Sequence, residues 1–416
     1  MNDIDINKKF AGNILFDYVW WILLEAKRKD IKTLYFLARD GFLLCKIAQL
    51  FIEKFALDIK CKYLYCSRFS LRTASYFLLD NEKYELLLFP SNTMTPKTIL
   101  DRGNLTVEQY KIVNENLGIN ETNQNQILTR KGFVDFKNKL LNYEEFWNYV
   151  DSNSRQAYKN LVNYLKQEKV FEQKTFAIVD SGWSGSMQRS LRQILCNENY
   201  EGNIIGFYFG MYKAPQDTKD GVFKTFFFNY KGDAYKKAIF SNNLFECILS
   251  APHGMTIGYK FNDNLIEPVF ANYNLQNESF ISELHASVLD YAKSKLNDII
   301  FFDFNLNKCK RKILHLIKDF MFKPKKNVVE KYGNFIFSDD ISEGFSKEIA
   351  CKKYKFSIRQ YSILIRMFSK LLKRDEYVEN IFWPYGVIAQ YPVLQRNWYR
   401  LNFFIWQYIK YKAGRF

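Results

Sequence analysis

The sequence predicts an open α/β fold in which a parallel sheet carries a helical insertion and a mostly helical C-terminal region. Two strand–loop–helix units and a change of pattern near residue 276 predict it. In the first unit, residues 32–55, Thr33 to Ala38 form a continuous apolar run rich in β-formers, as a parallel strand covered on both faces requires. Arg39-Asp40-Gly41 breaks the run, and Leu43, Leu44, Ile47, Leu50 and Phe51 then recur at helical spacing. A short strand at Lys62 to Cys66 runs into Ser67-Arg68-Phe69-Ser70-Leu71-Arg72. In the second unit, residues 174–196, Phe176 to Val179 is the strand and Asp180 stands at its end. Ser181 to Ser186 is a Gly/Ser loop, and a helix from Met187 keeps Leu191, Ile194 and Leu195 on one face. Ile204 to Phe209 is the next strand and Phe223 to Phe228 an edge strand. Strands alternating with helices give a sheet that binds ligands at its C-terminal edge.

A chain of 416 residues has room for two or three domains. Residues 1–75 and 171–260 form the α/β core, 76–170 a mainly helical insertion or cap, and 261–416 a basic, mainly helical region. Residues 236–250 read as a helix ended by Ala251-Pro252-His253-Gly254, and further helices are expected at 276–300, 307–322, 341–350 and 356–374.

Composition removes several classes. With 48% hydrophobic and 25% charged residues, wholesale disorder is out. Seven cysteines, an odd number with no CxxC spacing, argue against a disulfide framework or a structural zinc and fit a reducing cytoplasm. The apolar stretch 11–26 is short and holds Asp17 and Glu25, so it reads as a core helix, and no uncharged run reaches the roughly 18 residues a membrane span needs. The net charge of +16 is uneven: Phe301 to Phe416 holds 23 Lys and Arg against 10 Asp and Glu. An anionic partner there is one reading, and a solvated basic surface is the plainer one. Zinc-finger spacing and RNP-like aromatic motifs are missing, which disfavours nucleic acid.

The chemistry gathers on two loops. Asp180 is followed by Ser181-Gly182-Trp183-Ser184-Gly185-Ser186 and a helix N-terminus, where free N–H groups and the helix dipole favour a phosphate. Small residues let the phosphate approach; the plainer alternative is a tight turn whose serines cap the helix. The loop is neither a Walker loop nor GxGxxG. On the other loop Arg39 offers a bidentate fork, and Asp40 a metal ligand or proton acceptor beside Gly41. In a parallel sheet Arg39, Arg68 and Asp180 emerge at one edge, with Arg72 just beyond, and these groups make a diphosphate–Mg²⁺ site with Asp40 and Asp180 toward the metal; the plainer alternative is that Arg39 and Asp40 simply pair with each other at the surface. A third cluster holds Glu246, on an otherwise apolar helix face, as a candidate base. His253 reads first as a turn histidine and second as an acceptor contact. His285 and His315 look structural. Trp383-Pro384-Tyr385-Gly386 reads as a helix-terminating turn or, less simply, a sugar-binding surface.

The segments FLARDGFLL, YLYCSRFSLR, VDSGWSGSMQRSL and LFECILSAPHG together resemble a domain of bacterial capsule and O-antigen clusters that often follows a haloacid-dehalogenase (HAD) phosphatase domain, over roughly residues 10–260. The core also resembles a type I phosphoribosyltransferase, which implies a Rossmann-like sheet of that type. The resemblance implies that Ser181–Ser186 hold the 5-phosphate of phosphoribosyl pyrophosphate (PRPP), that Asp180 meets the ribose hydroxyls, and that Arg39-Asp40-Gly41 and Arg68 meet the pyrophosphate with Mg²⁺. Ser181 departs from the pattern, since a second acid is common there. The implied activity is transfer of ribofuranose 5-phosphate to a hydroxyl of a lipid-linked glycan. A partner HAD-type phosphatase would then remove the 5-phosphate, and the enzyme would work in the cytoplasm or at the inner membrane face. Asp40 ranks first and Glu246 second as the base.

Three rivals stand beside this. A HAD-like phosphatase needs a nucleophilic Asp where this chain has Ala38, two residues before Asp40. The others are a non-catalytic glycan- or phosphate-binding module and a nucleotide-sugar glycosyltransferase.

Overall fold

A computed structural model of the chain describes residues 6–90, 94–213, 221–338, 346–350 and 381–414. The apolar run after Lys32 forms β1 (Thr33–Leu37), every residue of it buried. It is followed by α2 (Gly41–Phe55), β2 (Lys60–Leu64) and α3 (Arg68–Ser75). The second unit gives β3 (Thr175–Trp183), α9 (Ser186–Asn197), β4 (Asn203–Met211) and β5 (Val222–Phe228). All five strands are parallel, in the order β2-β1-β3-β4-β5. The fold is α/β.

The two-residue strand period splits the core. Leu34, Phe36, Ala177, Val179, Phe207 and Phe209 face α1 (Asn13–Arg28) and α2. Tyr35, Leu37, Phe176, Ile178 and Tyr208 face α9 and the C-terminal half of α8 (Glu144–Gln167). Helix α1 is apolar almost all round and buried from Ile14 to Leu24. Its Tyr18 hydroxyl lies 2.8 Å from the carbonyl of Asp180 and 2.9 Å from that of Phe207, a buried polar anchor beneath the two central strands.

Between α3 and α8 lie α4 (Glu82–Leu87), α5 (Pro96–Asp101), α6 (Val107–Leu117) and α7 (Arg130–Leu141). They bury their own cluster, which includes Leu100, Val113, Leu140 and Phe146. Helix α8 is shared, with Phe146 and Val150 in that cluster and Leu161 and Leu165 in the sheet core. The helix expected at 236–250 is two, α10 (Ala234–Ile239) and α11 (Asn242–Leu249), because Phe240 is extended and Ser241 caps α11 by accepting from Leu244 N–H.

A hairpin of β6 (Thr256–Asn262) and β7 (Leu265–Phe270) follows, so the boundary expected at 260/261 falls inside a strand. Tyr259 and Ile266 pack into the sheet core, and Asn160 of α8 donates to the Tyr259 carbonyl at 2.9 Å. Beyond it come α12 (Glu278–Leu296), α13 (Leu306–Ile317) and α14 (Lys326–Tyr332). A short ladder of β8 (Ile336–Phe337) and β9 (Lys347–Glu348) precedes α15 (Pro384–Ile388) and α16 (Val393–Lys412). The helix expected at 341–350 is replaced in its described part by β9, whose Lys347 pairs with Phe337, and the helix expected at 356–374 lies outside the described residues. Among the described residues no helix is long and apolar enough to cross a membrane.

Candidate active site

The strand order sends the chain from β1 to one side for β2 and to the other for β3. That reversal opens a crevice at the C-terminal ends of β1 and β3, where open α/β sheets bind ligands. The crevice is a cleft of about 1260 Å³, lined by Arg39, Asp40, Arg68, Arg72, the run Asp180–Ser186 and Glu246. The loops after the first and third strands therefore meet, as the sequence requires of a joint site.

They also sense each other: Ser181 at the end of β3 favours the charged form of the Asp40 carboxylate. Gly41 lets α2 start close against β1: a Cβ there would stand 2.6 Å from the Phe36 carbonyl carbon. The peptide bond between Ala38 and Arg39 is cis.

Three carboxylates feel one another across the cleft. Burial holds Asp40 above its ordinary range, against the pull of Ser181, Arg39 and Arg68. Burial, and next the charge of Asp40, push Asp180 well above the usual carboxylate range. Burial, and then Asp40, push Glu246 up to about 7, while Arg68, a hydrogen bond from Trp183 and Arg39 pull it down. Helix α3 brings Arg68 into its first turn. Ser67 caps that turn in a capping box with Ser70 and donates to the Thr256 carbonyl at 2.6 Å. Arg68 thus acts on all three carboxylates.

The Gly/Ser loop is shorter than the sequence suggests. The strand continues through Ser181-Gly182-Trp183, because Gly182 pairs with Gly210 and Trp183 with Met211 of β4. Gly182 has φ +113°, and a Cβ on it would lie 2.3 Å from the Gly210 carbonyl oxygen. Three expected phosphate-loop contacts are therefore committed elsewhere. Ser181 is buried, Gly182 is a strand residue, and the Trp183 indole is buried against Phe228, Phe240 and Phe245. The indole N–H donates to Glu246 Oε1 at 2.6 Å. Ser184, Gly185 and Ser186 remain at the mouth of α9, whose N-cap, Gly185 at φ +68°, supplies no side-chain cap. The first-turn N–H groups of α9 are the part of the motif suited to an anion.

Two other expected residues, His253 and Trp383, are committed to packing. His253 Nδ1 lies 2.8 Å from the Gly254 carbonyl and must donate to it, so Nε2 accepts from the Tyr63 hydroxyl at 2.7 Å. With both nitrogens used and its ring packed on Phe270 and Tyr65, His253 sits as a structural histidine and is not among the residues lining the cleft. Trp383 is fully buried and donates to the Met321 carbonyl at 3.0 Å, so its ring offers no sugar-binding surface, while Pro384 and Tyr385 of the same turn line the cleft. Trp383 is the N-cap of α15, with Pro384 in the first turn.

The cleft also recruits residues whose sequence context gives no sign of it. Lys410 and Tyr411 of α16 line it, and the Tyr411 ring stacks on Tyr212 beyond β4 with centroids 5.3 Å apart. Lys213 and Lys237 add basic groups. Arg189 of α9 bonds Glu82 of the insertion at 2.9 Å, joining insertion and core at the rim.

The donor set also bears on a metal. Among the described residues no group of three or more His, Cys, Asp or Glu side chains is arranged to hold one. Asp40 and Asp180, whose charges oppose each other, offer two carboxylates, which fits a Mg²⁺ that keeps its waters and takes the rest of its shell from substrate phosphates. No protein-family model matches this chain, and no curated protein matches it at a significant level.

Proposed function

We propose that the chain is a PRPP-dependent phosphoribosyltransferase acting on a hydroxyl of a lipid-linked bacterial capsular or O-antigen glycan, with a sheet of the phosphoribosyltransferase type and a helical C-terminal region that meets the acceptor. The observation that carries the reading is the meeting of Arg39, Asp40, Asp180 and Arg68 with the α9 N-terminus at one crevice. Cationic forks suit a diphosphate, and an N-terminal cradle suits a separate single phosphate. A sugar phosphorylated at both ends satisfies both.

In this reading Ser184–Ser186 hold the 5-phosphate, Asp180 faces the ribose hydroxyls, and Arg39 and Arg68, with Arg72 behind, orient the diphosphate. Mg²⁺ at Asp40 and Asp180 would neutralise charge on the departing group. The bond from C1 of the ribose to the diphosphate oxygen breaks with its electron pair leaving on pyrophosphate. The acceptor oxygen bonds to C1, and its proton passes to a carboxylate. Glu246 suits that task better than Asp40: a base works best near the ambient pH, and burial with the neighbouring charge of Asp40 lifts Glu246 to about 7. A partner HAD-type phosphatase would remove the 5-phosphate from the product. A phosphatase identity for this chain itself is disfavoured by Ala38.

Calorimetric titration with PRPP in the presence of Mg²⁺, paired with an assay for acceptor-dependent pyrophosphate release, tests the reading. Binding and release support it. Binding without release supports a non-catalytic module, and tighter binding of a UDP- or CDP-sugar supports a nucleotide-sugar enzyme.

A further inference from the structure

Helix α16 has two faces with different work. One closes the cleft through Phe403, Gln407, Lys410 and Tyr411. Along the other, Leu394, Trp398, Leu401, Ile405, Tyr408 and Ile409 are exposed, Leu394 by 86% and Trp398 by 61%. At 3.6 residues per turn these six fall in one stripe roughly 100° wide. Single exposed apolar residues need no explanation, but a continuous stripe the length of a 20-residue helix does.

The surroundings of the stripe say what covers it. Val393–Lys412 contains four basic residues and no Asp or Glu. On one flank Phe404 packs on Tyr235 and Phe322. There Lys318 lies over the Tyr235 ring, and Lys323 and Arg400 lie over the Phe322 ring. An apolar stripe carrying Trp and Tyr, edged by cations, has the build of a helix that lies in a membrane interface. A second copy of the chain fits poorly, because a two-fold contact through the stripe would bring the two sets of cations together.

We infer that this face of α16 docks in the plane of an anionic lipid bilayer, with Leu394, Trp398 and Leu401 entering the acyl boundary and Lys318 and Lys323 meeting the headgroups. Docking sets the cleft, on the opposite side of the same helix, beside the bilayer surface. That a lipid-tethered acceptor reaches the cleft there rests on the transferase reading; the docking does not.

The experiment is flotation of the full chain with vesicles of phosphatidylethanolamine and phosphatidylglycerol, against vesicles of phosphatidylcholine alone, without PRPP or acceptor. The chain should float with the anionic vesicles, less so at high salt, and only weakly with the neutral ones. Leu394→Ser/Trp398→Ser/Leu401→Ser should weaken binding roughly a hundredfold. Its circular dichroism, and its turnover of a short water-soluble acceptor, should stay as in the parent. Lys318→Glu/Lys323→Glu should remove the preference for anionic lipid. A chain that stays unbound with anionic vesicles overturns the inference, as does equal flotation of the triple variant. So does a parent dimer that the triple variant dissociates. Because the assay contains no substrate, failure of the transferase reading leaves its outcome unchanged.

Discussion

The indole N–H of Trp183, at the end of β3, donates to the carboxylate of Glu246, on α11, over 2.6 Å. The bond ties the end of a central strand to the carboxylate proposed to take the acceptor proton. It also opposes the rise in the Glu246 pKa that burial and Asp40 produce.

Trp183→Phe removes that donor while keeping the ring among Phe228, Phe240 and Phe245. A hydrogen bond to a charged group contributes about 1.5–3 kcal/mol, so the Glu246 pKa should rise by one unit or more. The pH–rate profile should show its acid limb moved up accordingly, with kcat on the plateau little changed. An unmoved limb would mean that Glu246 is not the group titrating.

Glu246→Gln keeps the shape and removes the base. Turnover should fall about 10²–10⁴-fold, measured by pyrophosphate release. In the parent, activity should be lost as pH falls through about 7, or somewhat lower if bound Mg²⁺ adds positive charge nearby.

The same carboxylates make stability depend on pH. Glu246, Asp40 and Asp180 all have folded-state values above their ordinary ones, so the native state holds protons that the unfolded chain has released. Stability of the Mg²⁺-free protein should therefore decline as pH rises from about 4.5 to about 7 and beyond. Asp180→Asn should raise Tm at pH 8 and change it little at pH 4, while transfer is lost. A Tm that climbs steadily across this range in the parent would contradict the burial argument.

Arg39→Ala should lower kcat/KM roughly 10²–10³-fold, because one cation is lost from where the diphosphate charge develops. Thermal unfolding should change little, since the side chain sits on a loop at the strand end. Gly182→Ala should do the reverse. The φ of +113° alone costs roughly 1–3 kcal/mol, and the added Cβ would press on the Gly210 carbonyl, so Tm should drop sharply.

What the chain reveals before folding follows from the range of the forces involved. Strands β1 and β5 and helices α2 and α9 follow from apolar runs and helical spacing, which are local signals. The extension of β3 through Trp183 is not local. It depends on Gly182 taking φ +113° against the Gly210 carbonyl oxygen of the neighbouring strand, and two glycines and three serines in six residues read more naturally as a loop. The hairpin of β6 and β7 did leave a trace, the two-residue polar turn Asp263-Asn264 between β-rich runs, with Asp263 at φ +51°. At the site, Arg39, Asp40, Arg68 and Asp180 follow from strand-end position in a parallel sheet. The commitment of Trp183 to Glu246, and of His253 to Tyr63 and Gly254, joins or satisfies groups through tertiary packing that no spacing rule reports. Lys410 reaches the cleft only because α16 folds back along α10.

The most direct test of the central claim is mass spectrometry of a lipid-linked glycan acceptor incubated with the chain, PRPP and Mg²⁺. The account predicts an acceptor heavier by one pentose phosphate, lost again on phosphatase treatment to leave a pentose, with no product from Glu246→Gln over the same interval. An unmodified acceptor, despite PRPP bound in the cleft, would contradict it.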